Sequence, residues 1–208
     1  MPVRLVYLIR HAEPVLPDKR RRFLGARSNP PLTSAGVGQA ELLGRRFEQV
    51  HFDAVWSSNL TRSLQTAEIV SGQPAGAIHV EPRLREIDLG LWDGLSDLEV
   101  QQRYPVEWAE RESNLVGYRF PQGETYRELQ TRALAAFISL AEAAVRAQDQ
   151  SILVVGHKGV NRVILGHFLG RPFEDIFTIK QDYCAVNLLQ SEVDSQGRLR
   201  IRVRELAS

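Results

Sequence analysis

Two histidines and two arginines stand directly after short apolar, β-branched runs. Arg10 and His11 follow residues 3–9 (VRLVYLI), Arg62 closes the stretch 57–62 (SSNLTR) after residues 54–56, and His157, with Lys158 beyond it, follows residues 151–155 (SILVV). In an open parallel α/β sheet, ligands bind beyond the carboxyl ends of the strands, so these loops are expected to converge on one edge. The combination suits a phosphoryl dianion, because guanidinium stays charged and its planar fork matches phosphate oxygens bidentately. A neutral imidazole can accept the phosphoryl group and later release it to water. The transition state is loose and in line, so catalysis would rest on positioning and charge, which Arg10, Arg62 and His157 would supply.

A leaving alkoxide needs a proton, and Glu86, in the segment 84–90 (LREIDLG), is the candidate acid, with Asp88 as its competitor. Plainer readings stand beside these: Arg62 capping a helix or pairing with Glu68, and Glu86 as a solvated loop charge. His51, His79 and His167 lack a strand-end setting and read as surface or packing residues. No histidines stand at i and i+4 and no Asp-rich strand end supplies oxygen ligands, so neither a metal nor another cofactor is expected.

The elements that must position these residues can be read from periodicity. The three apolar runs are strands covered on both faces. Between them lie helices: one capped by Thr33 and Ser34 with Val37, Ala40, Leu43 and Phe47 at helical spacing, a second over residues 60–70, a third over 126–147 and a fourth over 159–169. The third carries a stripe of Leu129, Ala133, Ala136, Phe137, Leu140 and Ala144. Alternation in residues 185–189 and 199–203 around the turn at 194–197 reads as a hairpin at the sheet edge. The expected fold is α/β: a three-layer α/β/α sandwich with a mostly parallel central sheet.

With 208 residues, one domain is the default. The formal net charge of +1 favours neither nucleic acid nor an anionic membrane. Lys19, Arg20, Arg21 and Arg22 form a local basic cluster that reads as a solvated loop. The lone Cys184 cannot form an internal disulfide and reads as a packed apolar residue, in keeping with a reducing, cytoplasmic setting. No apolar run is long enough for a signal core or a membrane span.

Leu8-Ile9-Arg10-His11-Ala12-Glu13 resembles the Arg-His-Gly-Glu signature of the histidine phosphatase, or phosphoglycerate mutase-like, superfamily. Further segments agree in order: 31–36 (PLTSAG), 57–67 (SSNLTRSLQTA), 86–94 (EIDLGLWDG), 121–125 (PQGET) and 154–160 (VVGHKGV). The resemblance implies a phosphoglycerate mutase-like fold, His11 as the phosphorylated nucleophile, Arg10, Arg62 and His157 as phosphoryl ligands, and Glu86 as proton donor. It also implies a substrate contact from the Gly25 backbone, while Lys158, which stands where the family usually has a small residue, either adds a phosphate contact or points to solvent. Ala12 replaces the usual glycine, which would cost activity if φ were positive there and be harmless if it were negative.

The chain lacks the Trp and Asn after the first signature and the Arg-His-Tyr after the acid that mark phosphoglycerate mutases. Hydrolysis of a small phosphorylated metabolite is therefore expected, with mutase-type transfer and a non-catalytic phosphate-binding module as alternatives. Residues 99–107 and 118–121 resemble the insert of fructose-2,6-bisphosphatase domains, and an insert at about 95–123 is expected to cover the site. Residues 159–165 and 181–183 resemble α-ribazole phosphatases. Pairing of the edge hairpin between subunits would give a homodimer.

Overall fold

The computed structural model describes residues 3–18 and 22–207. Of the basic cluster only Arg22 lies within them. It is bound to Asp18 and Glu99 rather than free in solvent. Twelve principal elements follow in order: β1 (Arg4–Arg10), α1 (Ser34–Arg46), β2 (Ala54–Ser57), α2 (Thr61–Ser71), β3 (His79–Val80), α3 (Asp97–Arg103), α4 (Pro105–Ser113), α5 (Tyr126–Ala147), β4 (Ser151–Gly156), α6 (Lys158–Phe168), β5 (Val186–Val193) and β6 (Leu199–Glu205). The sheet runs β3-β2-β4-β1-β5-β6. Its first four strands are parallel, and β5 and β6 form the antiparallel hairpin expected at the edge.

Residues 152–155 of β4 are all buried because alternate side chains serve opposite helix layers. Ile152 and Val154 join Leu8, Ala133, Phe137 and Val163 under α5 and α6. Leu153 and Val155 join Ile9, Val55, Ala40 and Ala67 under α1 and α2. Helix starts follow from local chemistry: the Thr33 side chain accepts from Gly36 N–H at α1, and Thr125 with Glu128 makes a reciprocal capping box at α5. Every residue of the predicted α5 stripe is buried.

Strand register aligns the chain exits. Arg10 stands opposite Gly156 and Ser57 opposite Val155, so the segments that begin with His11, Ser58 and His157 leave the sheet side by side. Between β3 and α5 the chain forms the two short helices α3 and α4, which periodicity does not single out. Ser96 and Glu99 cap α3, and Trp92 packs beneath against Phe23, Trp108, Tyr118 and Phe120.

Candidate active site

At the carboxyl edge of the sheet a cavity of about 780 Å³ is lined by Arg10, His11, Glu86, Lys158 and Gly159, among others. His11 and His157 face each other with ring centroids 5.0 Å apart. The Nδ1 of His11 lies 2.7 Å from the Ala12 carbonyl. A carbonyl can only accept, so Nδ1 carries the proton and the lone pair is left on Nε2. Burial, then the charges of Arg10 and Arg62, hold the pKa of His11 well below the usual imidazole value. The ring is thus neutral and nucleophilic at neutral pH.

Ala12 is absent from the residues with positive φ, and its methyl is fully buried in the core beneath α1 and α2. Its N–H donates to Thr66 Oγ1 at 3.0 Å. The sequence position usually held by glycine therefore takes alanine without backbone strain.

Arg62 is fully buried. Its Nη1 donates to the Ser28 carbonyl at 2.8 Å and its Nη2 to the Gly25 carbonyl at 3.0 Å. Burial lowers its pKa to about 10, against the opposing pull of Glu86 and Asp93, which leaves it charged at pH 7. The loop that supplies those carbonyls is held by Asp93, whose carboxylate accepts from the N–H groups of Gly25, Arg27 and Ser28. Gly25 therefore has its N–H on Asp93 and its carbonyl on Arg62. A Cβ there would lie 2.7 Å from the Ile87 carbonyl. Its neighbours Phe23 and Leu24 are the residues that line the cavity.

Arg10 is steadied from two sides: Nη1 donates to the Gln181 carbonyl at 2.7 Å, and the guanidinium sits 4.1 Å from the centroid of the Tyr183 ring. Burial lowers its pKa, opposed by Tyr183 and Glu86. Gln181 is itself fixed by a buried amide network, accepting from Asn161 and donating to Asn187, while Asn187 donates to the Leu8 carbonyl. Neither this network nor Tyr183 emerges from residue types alone, because its members are remote in sequence.

Glu86 is 7% exposed. Its Oε1 accepts from Ile87 N–H and its Oε2 from Gly159 N–H in the first turn of α6, at 2.9 and 3.0 Å. A Cβ on Gly159 would run into Oε1, so this glycine makes room for the carboxylate. Behind it, Arg132 donates to the carbonyls of Arg83, Arg85 and Glu86. The competitor Asp88 does not line the cavity; it pairs with Arg27 and accepts from Gly90 N–H. Lys158 opens α6 and lines the cavity.

His157 is fully buried, and its Nε2 lies 2.7 Å from Ser58 Oγ. Burial, Arg62, His11 and Arg10 keep its pKa well below the usual value. Arg10, His11 and Glu86 thus wall one hollow, with the His157 ring against His11 and the charge of Arg62 felt at His11. His51 and His79 lie elsewhere, the first beside Asp53 and the second stacked on Trp56, and His167 lies in the last turn of α6. Among the described residues no group of three or more His, Cys, Asp or Glu could hold a metal ion. No helix among them is long and apolar enough to cross a membrane.

Residues 6–202 match the model of the histidine phosphatase superfamily, branch 1. The human 6-phosphofructo-2-kinase/fructose-2,6-bisphosphatase 4 is 32% identical over 179 residues, which are 85% of this chain and 35% of that protein. The chicken enzyme of the same name is 31% identical over 175 residues, 83% of this chain and 34% of that protein. The chain thus spans about a third of the length of these curated relatives. Among solved structures, the Bacillus stearothermophilus protein YhfR superposes with a TM-score of 0.82 at 32% identity, covering 98% of each chain. The α-ribazole phosphatase of Shigella flexneri shares the fold, with a TM-score of 0.81 at 24% identity over 98% of this chain and 96% of that one.

Proposed function

Because the chain belongs to the histidine phosphatase superfamily, we propose that it is a metal-independent phosphatase that hydrolyses a small-molecule phosphate monoester through a phosphohistidine at His11. The observation that carries this reading is the hydrogen bond from His11 Nδ1 to the Ala12 carbonyl, which leaves the lone pair of a neutral, buried ring on Nε2, within the field of Arg10 and Arg62. In the first step Nε2 attacks phosphorus in line, the P–O bond to the leaving group breaks, and the alkoxide takes a proton from Glu86. In the second, water attacks the phosphohistidine, Glu86 takes the water's proton, the P–N bond breaks and inorganic phosphate leaves. Arg10, Arg62 and His157 hold the charge that spreads over the equatorial oxygens.

The cavity volume of about 780 Å³ falls within the range of metabolite sites. The names of relatives suggest sugar bisphosphates or α-ribazole phosphate as substrate classes. We take the whole chain as one domain in which residues 95–123 form a cover over the site, since Arg111, Leu115 and Phe120 from this stretch wall the cavity. Turnover of p-nitrophenyl phosphate in the presence of a chelator tests the reading. Wild type should turn over and should yield an acid-labile, base-stable phosphoenzyme when quenched. Failure of wild type to turn over, or normal turnover in His11→Ala, would overturn it.

A further inference from the structure

The two active-site imidazoles are neutral and close together, yet their roles differ, and the hydrogen bonds around them supply the reason. Ser58 Oγ has two partners among the described residues: Leu60 N–H, which donates to it at 3.3 Å, and His157 Nε2 at 2.7 Å. The Leu60 N–H can only donate, so the hydroxyl proton has one acceptor, the Nε2 lone pair. His157 must then carry its own proton on Nδ1. That nitrogen is buried and has no hydrogen-bond partner among the described residues. An orphaned buried donor is costly, because it has given up its hydrogen bonds to water and gained none in return. It becomes intelligible if an oxyanion completes the site.

We infer that Ser58 is a positioning residue that locks His157 in the Nδ1–H form, so that His157 presents a donor to the phosphoryl group while His11 presents a lone pair. Both rings carry their proton on the same atom but are held by opposite edges: the Ala12 carbonyl grips the protonated nitrogen of His11, and the Ser58 hydroxyl grips the bare nitrogen of His157. The arrangement assigns nucleophile and oxyanion donor without any difference in charge. A proton on His157 Nε2 would turn that bond round and leave the Ser58 hydroxyl proton with no acceptor among the described residues. This inference rests on the phosphatase reading for its consequence in turnover, but the tautomer itself is a property of the resting protein.

The test is two-bond ¹H–¹⁵N correlation of histidine-labelled protein, with the His157 signals assigned by their loss in His157→Asn. His157 in wild type should show a proton-bearing Nδ1 and a lone-pair Nε2, and inorganic phosphate should shift the Nδ1–H proton downfield. Ser58→Ala should release the ring to the Nε2–H form or a mixture and lower kcat on p-nitrophenyl phosphate about ten- to a hundredfold, with KM changed less. Ser58→Thr, which keeps the hydroxyl, should restore the Nδ1–H form and most of kcat. A proton on Nε2 in wild type overturns the inference, as does a Ser58→Ala protein that keeps both the wild-type tautomer and kcat. If Ser58→Ala does not fold, the wild-type spectrum decides alone. The expected tautomer in a wild type without turnover would reject the phosphatase reading and leave the hydrogen-bond assignment standing.

Discussion

His11, Arg62, Glu86 and His157 are buried and bonded at close range, three of them to the main chain and His157 to Ser58. Residues 97–113, of which Arg111 reaches the wall of the same cavity, form two short helices with Leu98 and Val106 55% and 66% exposed and with ion pairs at the surface. The first region holds its geometry through contacts a side-chain change cannot easily compensate. The second makes few such commitments and can vary. On the proposed reading, phosphoryl chemistry rests on strand ends and substrate shape on a peripheral insert, a division that would let substrate change without rebuilding the reacting centre.

Substitutions in the two regions should separate along this line. His11→Ala removes the nucleophile and should lower kcat by roughly 10⁴–10⁶ with the fold retained, checked by steady-state turnover and circular dichroism. Arg62→Ala should lower kcat/KM by roughly 10²–10³ and also destabilise by about 1–3 kcal/mol, since the carbonyls of Gly25 and Ser28 lose their buried donor. Denaturant melts alongside kinetics would separate the two effects. Gly159→Ala tests the junction of α6 with Glu86. Alanine favours a helix by about 1 kcal/mol, yet its Cβ collides with Glu86 Oε1, so kcat should fall roughly ten- to a hundredfold and Tm should not rise.

Acid stability sharpens the contrast from the side of the buried centre. Both histidines have folded pKa values lowered by burial, so between the folded values and about 6.5 the unfolded chain binds protons that the folded one does not. Their share of stability is full above pH 6.5 and is lost as pH falls through that value toward the folded pKa, by up to about 1.4 kcal/mol per pH unit for each ring. His157→Gln should reduce the slope of Tm against pH below 6.5, and an unchanged slope would place its origin elsewhere. The smallest effect is expected in the insert. Arg111, set over the Trp108 and Phe23 rings, lines the cavity, and Arg111→Ala should raise KM for the physiological ester several-fold, about 1 kcal/mol, with a smaller change in kcat.

The sheet strands other than β3, the four long helices and the edge hairpin were legible because burial imposes a period of two or 3.6 on residue type over many positions. That the segments carrying His11, Arg62 and His157 leave one edge of the sheet was legible because strand ends in parallel sheets face one edge, whereas the place of Glu86 in the cavity wall is set by the fold. The two-residue strand β3 and the short helices of the insert carry too few residues for a period to emerge. Ser58, Asp93, Arg132, Tyr183 and the amide network at Asn161, Gln181 and Asn187 act through partners far along the chain.

What sequence alone determined was therefore which residue types follow each strand, and hence the class of chemistry. Only the tertiary structure decided that Ala12 does not sit at positive φ, that Glu86 rather than Asp88 lines the hollow, and which nitrogen of each imidazole is engaged. The physical reason is that local periodicity is written in neighbouring residues, whereas a tautomer, a backbone angle and the reach of a carboxylate are set by groups that meet only when the chain has folded.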